Sequence, residues 1–527
     1  MSAYDWLSEF AAMLSDDDPV LNPEHFTPLG PGRLYSIAVH DWDTCIRHAA
    51  FAGLRWAGLW ADPVAAGVQC TTCFARGGDY LFLRTQIDSP SLGISSHAPY
   101  YPAADRMERH MHDLLGIVFL NHTNARRWTR HQAWPDDCFP LQPAFPAAGN
   151  APGVTPPDSD YPFVLVQGAG VAEIPVGPVH AGIIEPGHFR FQAVGEEILA
   201  MEERLGYVHK GIEKIAAGRD AQGLVRLAGR VSGDTAVAHA WAACMAMEQA
   251  ASVAVPPRAN TLRAVLLERE RVANHLGDIG AICNDVAFTF AYFQFSRLRE
   301  QWLREQQQVF GHRLLMDRLI PGGVTADVDE AGVAALREGI RALRRELPGI
   351  LPILDDHPSL EDRLIGTGVL SRDAAVRLGA LGYVGRASGI DLDVRRDTPH
   401  APYDGLELKV PVMQSGDVAA RMKIRIEEIH ASLVVMEQCL ASLPSGDILA
   451  PWPAPAAGEG LGVVEGWRGE TLAYVRFGSD GRVARYFPRD PSWFSWPALE
   501  HLIQGNIVPE FPVCNKSING SYSGHDL

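Results

Sequence analysis

Apolar residues recur at three-to-four spacing over six stretches in the middle of the chain, 197–216, 235–251, 261–278, 288–313, 328–347 and 417–443. That period predicts helices packed as a bundle, with functional groups left to helix ends and connecting loops. Upstream the period changes. Tyr80 to Ile87 reads YLFLRTQI, β-rich with partial alternation, and predicts a strand, while 103–115, following Pro102, predicts a helix. After Leu461, VVEGWRGETLAYVRFG predicts a β-hairpin turning between Gly466 and Gly469. Two stretches lack any apolar period and are rich in proline and small residues: 141–160 (LQPAFPAAGNAPGVTPPDSD) and 446–460 (GDILAPWPAPAAGEG). The fold class expected is α+β. A small N-terminal α/β domain over 1–145 is joined by a linker over 146–160 to a mainly helical domain over 161–527, which has a minor β portion from about 461. No internal repeat is seen.

Composition narrows the function classes. With 527 residues at 47% hydrophobic, the chain can bury substantial cores and is too long for one ordinary domain. Lys and Arg total 46 against 63 acids, a formal charge of -17, which argues against a nucleic-acid binder held by phosphate contacts. Eight cysteines are too sparse for a disulfide scaffold, so a reduced, cytosolic compartment is expected. The acidic start, Met1 to Asp18, lacks the pattern of a signal peptide. No apolar run reaches the roughly 18 to 20 residues that cross a bilayer, so membrane association is expected to come through partners.

Candidate metal chemistry is thin. Cys70 and Cys73 form a lone C-x-x-C with no further ligands at compatible spacing in the front domain, and they read as buried thiols on a strand. His110 and His112 are two apart on a predicted helix, roughly 200° around its axis, and do not form a chelate.

The dispersed motifs carry more. Gly177 to His180 (GPVH), Glu185 to Phe191 (EPGHFRF), Arg204 to Lys214 (RLGYVHKGIEK) and Glu268 to Leu276 (ERERVANHL) occur in that order. Arg386 to Pro399 (RASGIDLDVRRDTP), Ser415 to Ile429 (SGDVAARMKIRIEEI), Glu465 to Glu470 (EGWRGE) and Trp496 to Val513 (WPALEHLIQGNIVPEFPV) follow. In this order and spacing the region from Val176 onward resembles the large subunit shared by membrane-bound [NiFe] hydrogenases and respiratory complex I. The segment Tyr101 to Trp134 resembles the domain fused at the front of formate-hydrogenlyase-type and hydrogenase-4-type enzymes, a separate peripheral-arm subunit in complex I, whose implied role is docking.

Two elements depart from the hydrogenase pattern. Arg230 to Thr235 (RVSGDT) resembles R-x-C-G-x-C, and Asn519 to Leu527 (NGSYSGHDL) resembles the terminal D-P-C-x-x-C-T-D. All four nickel-binding cysteine positions are empty, being Ser232, Thr235, Ser521 and Gly524. A nickel site of this class needs soft thiolates, which hydroxyls and glycine do not supply. Cys244 and Cys514 are single, whereas the missing ligands are pairs, so no metal is expected. A remodelled oxygen site for a hard cation is the alternative, with only Asp234 and Asp526 nearby. The chain's stop at Leu527 is expected to leave it outside the maturation route that trims an extension after nickel insertion.

The remaining candidates take their roles from the same resemblance. Asp234 and His239 are candidate proton relays. Glu185 and His188 either pass protons toward the emptied site or anchor their loop to Arg190. Glu268, Arg271 and His275 share one helix face at i, i+3 and i+7 and, with Arg230, form either a salt-bridged network or a surface facing a partner's iron-sulfur cluster. Arg386, Asp393, Arg395 and Asp397 resemble the charges lining the hydrogenase pocket and, with no cluster, are expected to pair with one another. Complex I meets its quinone with a histidine and a tyrosine, an aspartate standing behind. The aspartate matches Asp285, but the other two positions fall at Ile184 and Leu227, which cannot hydrogen-bond a carbonyl.

The implied function is a subunit of a membrane-bound, hydrogenase-like or complex-I-like oxidoreductase on the cytoplasmic side. It would bind no cofactor of its own, adjoin an iron-sulfur small subunit and antiporter-like membrane subunits, and offer a cavity to a quinone or other small acceptor. The alternative is a non-catalytic scaffold joining the iron-sulfur subunit to the membrane arm.

Overall fold

The computed structural model describes residues 5–14, 20–149, 160–181, 184–453 and 457–527. Most of the predicted linker 146–160 lies outside the described residues, as do 454–456 of the second break and both ends of the acidic stretch 1–18.

The front part opens with α1 (Asp5–Met13), β1 (Thr27–Leu29), β2 (Gly32–Ser36) and α2 (Trp42–Phe51). Three long strands follow, β3 (Arg55–Val64), β4 (Gly67–Arg76) and β5 (Asp79–Ile87), and then α3 (Asp105–Leu115). They make one five-stranded sheet ordered β1-β2-β5-β4-β3, in which only β2 and β5 run parallel. Cys70 and Cys73 are buried, unpaired thiols on β4.

The second part begins with β6 (Val171–Val176), β7 (His188–Val194) and β8 (Glu197–Arg204), an antiparallel sheet ordered β8-β7-β6. Here the helix expected over 197–216 is corrected: its first half is a strand and only α4 (Ile212–Ala216) is helical. Pairing decides the outcome. Glu197 to Arg204 hydrogen-bonds along β7 across the turn at Gly195, and that ladder overrides a local spacing compatible with a helix.

The bundle consists of α5 (Ala221–Ala228), α6 (Ala236–Ala250), α7 (Pro257–Asp285), α8 (Thr289–Phe310) and α9 (Glu330–Asp355). It continues with the short α10 (Gly382–Ala387) and α11 (Val394–Asp397) and the long α12 (Val418–Ala441). Asp329 and Asp417 cap α9 and α12 by accepting from Gly332 N and Ala420 N, each at 2.8 Å. Beyond them lie β9 (Gly458–Gly466), β10 (Gly469–Phe477) and β11 (Val483–Arg489), one strand more than the expected hairpin, whose turn falls at Gly466 to Gly469. The chain ends in α13 (Ser492–Leu502), α14 (Phe511–Ile518) and α15 (Tyr522–Asp526).

One contact sets the position of the site. Ala238, Ala242, Ala246 and Ala250 recur every four residues on α6, about 6 Å of rise, and Gly458, Gly460 and Gly462 recur every two on β9, a nearly equal rise. Helix and strand therefore run side by side in step. A Cβ at Gly462 would stand 2.1 Å from Ala242 O, and one at Gly460 2.1 Å from Ala246 O, so only glycine allows this approach. The turn between β9 and β10 is thereby carried to the start of α6.

The β9–β11 sheet packs against the front sheet, and buried apolar side chains of both parts form one continuous core. Trp60 stacks on Phe487 with ring centroids 5.7 Å apart. Charged pairs bridge the same seam: Arg84 grips Glu459 with two bonds of 2.8 Å, and His110 Nε2 lies 2.8 Å from Glu213 of α4. Glu470 accepts from Arg55, from Arg489 and, at 2.7 Å, from the Tyr80 hydroxyl. Burial acts to raise the Glu470 carboxyl, but Arg55 and Arg489 hold it down at about 2. Replacing Glu470 with Gln leaves two buried guanidiniums short of a counter-charge, and the expected loss is about 3 to 5 kcal/mol, read as a lower urea midpoint of the intact chain.

Candidate functional site

The four emptied positions meet. Ser232 and Thr235 lie in the loop entering α6, Ser521 and Gly524 at the start of α15, and the hydroxyl oxygens of Ser232 and Ser521 are 2.8 Å apart. One arrangement of protons satisfies the chain of bonds: Ser521 Oγ accepts from Gly524 N at 2.9 Å and donates to Ser232 Oγ, which donates to Asp234 Oδ1 at 2.8 Å. Arg468, in the β9–β10 turn, grips Asp234 with two bonds of 2.7 Å and ties in the tail through Asn519 O at 2.6 Å. Burial acts to raise the Asp234 carboxyl, and the guanidinium more than reverses that, leaving it below its ordinary value.

Gly524 offers no side chain, and the space is taken: an added Cβ would stand 2.7 Å from the carboxyl carbon of Asp490. Asp490 is fully buried, 2.8 Å from His239 Nε2, and accepts from Ser492 N at 2.8 Å. Burial acts to raise it, yet the His239 bond holds it well below the usual carboxylate range.

These residues do not fit a nickel-iron centre. Sulfur is absent from the four positions, their hydroxyls are engaged, and the Arg468 guanidinium holds the neighbouring Asp234 carboxylate and Thr235 hydroxyl. The oxygen-site alternative fails for the same reason, because Arg468 neutralises Asp234, while Asp526 uses its carboxylate on Gly206 N and Val208 N at 2.8 and 3.1 Å. Among the described residues no group of three or more His, Cys, Asp or Glu is arranged to hold a metal ion.

Beside this knot opens a cavity of about 480 Å³. Val176, Ile184, Phe189, Phe511 and Pro512 give it an apolar wall, and Glu185, Asp234, Asp285, Arg468 and Lys516 a charged one. Glu185 accepts from Ser523 N at 3.0 Å and from the Ser523 hydroxyl. Asp285 ends α7, half-buried; burial raises its carboxyl and Lys516 opposes the rise. Of the two positions matching the quinone-binding residues of complex I, Ile184 is in the wall, while Leu227 is buried on α5 away from it. A histidine does reach the wall, His180, with Nε2 2.7 Å from Gly187 O. Behind Asp234 a smaller void is lined by Glu270, Asn274, Arg299 and Gln306, and burial pushes Glu270 up to about 8.

Several expected members lie elsewhere. His239 is sealed behind Asp490 and does not line the cavity. His188 stands on β7 rather than on a loop and does not pair with Glu185; Arg190 Nε donates to its Nε2 at 3.1 Å, which is the anchoring geometry. Arg230 is not part of the buried network: it is half-exposed and bonds both oxygens of Asp317 at 2.7 Å. Asp397 also lies outside the cavity, accepting from Asp393 N at 2.9 Å and from Arg396.

Arg386, Asp393 and Arg395 are not cavity residues either. They join Glu268, Arg271 and His275 in one buried cluster, because α7, α10, α11 and α12 converge on the β9–β10 turn. Glu268 accepts from Arg271 Nε at 3.1 Å, Arg395 at 2.9 Å, the Tyr403 hydroxyl and the Ser432 hydroxyl. Glu428 bridges Arg386, at 2.7 Å, and His275, at 2.8 Å, while Arg395 grips Asp393 at 2.7 and 2.9 Å. Glu465 takes the third contact of Arg386 at 2.9 Å, and burial together with Asp393 raises its carboxyl. Every arginine faces carboxylates, which offsets its desolvation. Sequence reasoning missed Arg468, Asp490 and Lys516. Arg468 was signalled by its place in EGWRGE, whereas nothing in the sequence links Asp490 to His239 across 251 positions.

Replacing Gly524 with Cys is expected to destabilise the chain by about 1 to 3 kcal/mol through overpacking against Asp490, seen as a lower melting temperature without gain of bound nickel. Replacing Asp490 with Asn is expected to lower stability by about 2 kcal/mol at neutral pH. The folded carboxyl sits below its unfolded value of 3.8, so its contribution is complete above that pH and is lost as pH falls toward the depressed folded value. The stability gap between wild type and D490N, followed by denaturant titration, should be flat above about pH 5 and narrow below about pH 4.

Comparison with known proteins accounts for both parts. Residues 285–454 match the family described as respiratory-chain NADH dehydrogenase, 49 Kd subunit, 65–151 its 30 Kd subunit, and 210–277 nickel-dependent hydrogenase. Formate hydrogenlyase subunit 5 of Escherichia coli (strain K12) is 31% identical over 453 residues, spanning 85% of this chain and 79% of that protein. The fused C/D component of the NADH-quinone oxidoreductase of Phocaeicola vulgatus is 30% identical over 405 residues, spanning 73% and 78%. A chain of the membrane-bound sulfane sulfur reductase, an archaeal respiratory membrane complex, superposes with a TM-score of 0.65 at 26% identity, covering 68% of this chain and 99% of that one. This chain therefore belongs to the family of the hydrogenase large subunit and the complex I 49 kDa subunit, in the form that carries a 30 kDa-type domain fused ahead of it.

Proposed function

We propose that this chain takes the place of the [NiFe] large subunit in a membrane-bound, complex-I-like oxidoreductase, without a nickel-iron centre, and that its cavity receives a small two-electron acceptor of the quinone class. The observation that carries the reading is the pairing of a bonded-over position without thiolates with a cavity of about 480 Å³ that remains beside it, mainly apolar with a charged wall. Such a mixed lining suits a ring with carbonyl groups. Asp285, whose carboxyl burial raises, stands at the cavity edge as the candidate proton donor, and Glu185 faces the same space. Electrons would arrive one at a time from an iron-sulfur cluster of a neighbouring small subunit.

The chain would lie on the cytoplasmic side of the membrane and reach it through antiporter-like partner subunits. No helix among the described residues is long and apolar enough to cross a membrane. A scaffold role is favoured by a different observation, the locking of the emptied site by Asp234, Arg468 and the two serines.

The natively isolated complex is expected to contain an iron-sulfur subunit and no stoichiometric nickel, to evolve no dihydrogen, and to have its reduced clusters reoxidised by short-chain quinones. Stoichiometric nickel with dihydrogen uptake would overturn the proposal. A D285N/E185Q variant is expected to slow quinone-driven reoxidation by about tenfold or more. Unchanged electron flow in that variant assigns the chain to scaffolding.

A further inference from the structure

We infer that the Lys516 ammonium is the ligand-contacting cation of the cavity, donating a hydrogen bond to a carbonyl oxygen of the bound acceptor and stabilising the negative charge that oxygen gains on reduction. The inference rests on the small-acceptor reading above and adds to it a residue lying outside the quoted motifs.

Five charged side chains line the cavity, and three are committed. Asp234 and Arg468 hold each other with two bonds of 2.7 Å, and Glu185 is bound by the backbone N and hydroxyl of Ser523. Asp285 and Lys516 remain. Among the described residues neither makes a hydrogen bond or an ion pair, although the Lys516 charge acts on the Asp285 carboxyl. Arg468 reaches a ligand only by giving up the carboxylate it neutralises, whereas Lys516 has no bond to break.

The orientation of Lys516 is built in. Pro512, Asn515, Lys516 and Asn519 recur at i, i+3, i+4 and i+7 along α14 and its cap, and all four line the cavity. The other side of the helix, Val513, Cys514, Ser517 and Ile518, is buried, with Arg421 Nε donating to Ser517 Oγ at 2.9 Å and Arg425 to Ser517 O at 2.8 Å. The helix cannot turn Lys516 away without unpacking that side.

Reduction of a quinone adds two electrons, one at a time from an iron-sulfur cluster as one-electron donor, and two protons, so that both C=O groups become C–OH. Negative charge appears on oxygen before the proton arrives. An ammonium beside an apolar wall meets that charge more strongly than water does, and Asp285, which lines the same cavity with a carboxyl raised by burial, is the proton source for that oxygen.

The test uses the native complex with its clusters reduced and excess reductant removed, mixed with ubiquinone-1 in a stopped-flow spectrometer while cluster absorbance is followed. K516M is expected to lower the maximal reoxidation rate by about tenfold or more and to raise the quinone concentration giving half that rate, with K516R recovering most of both. Ferricyanide, which needs no cavity, should reoxidise wild type and both variants alike. If ubiquinone-1 reoxidises K516M as fast as wild type, the assignment to Lys516 is wrong and the acceptor reading stands. Slowing of ubiquinone-1 and ferricyanide together gives Lys516 a structural role and also overturns the assignment. Wild type that ubiquinone-1 does not reoxidise overturns the acceptor reading and this inference with it.

Discussion

Backbone contact between α6 and β9 is possible only because alanines on the helix and glycines on the strand advance at nearly the same rate. That contact brings the β9–β10 turn to the first turn of α6, and with it Arg468 to Asp234 and Trp467 Nε1 to Asp234 O at 2.9 Å. Side chains larger than methyl or hydrogen along this seam would separate the two elements and pull the guanidinium out of reach. The chemistry of the site therefore depends on a packing constraint that carries no chemistry of its own.

With sulfur gone, the problem posed by the site is electrostatic. The buried carboxylates Asp234 and Asp490 need partners: Arg468 gives Asp234 a counter-charge at 2.7 Å, and His239 Nε2 lies in hydrogen-bond contact with Asp490 at 2.8 Å. The same solution recurs one layer deeper, where Arg271, Arg386 and Arg395 meet Glu268, Asp393, Glu428 and Glu465. These buried charges face one another rather than the cavity. What stays outside this mutual neutralisation is the outer cavity, where Asp285 and Lys516 make no hydrogen bond or ion pair among the described residues.

The front domain is not a loosely tethered docking module. Its sheet shares a core with β9–β11, and Glu459, Glu470 and Glu213 each draw in partners from both parts. The sheet that presents Arg468 to the site is thus held on its other face by the front domain, which ties the position of the turn to the whole fused architecture.

Much of this was legible in the amino-acid order. Apolar spacing placed α6, α7, α8, α9 and α12 and the turn at Gly466 to Gly469, because such spacing reports neighbours three, four or two residues away. The spacing of RVSGDT and NGSYSGHDL also identified four positions without thiolates. Tertiary structure decided the rest. It made a strand of Glu197 to Arg204 through pairing with β7, took Arg230 to the surface, sealed His239 behind Asp490, and placed Lys516 in the cavity wall. Each of those outcomes depends on partners brought together from distant parts of the chain, and local periodicity holds no record of which distant groups will compensate a buried charge.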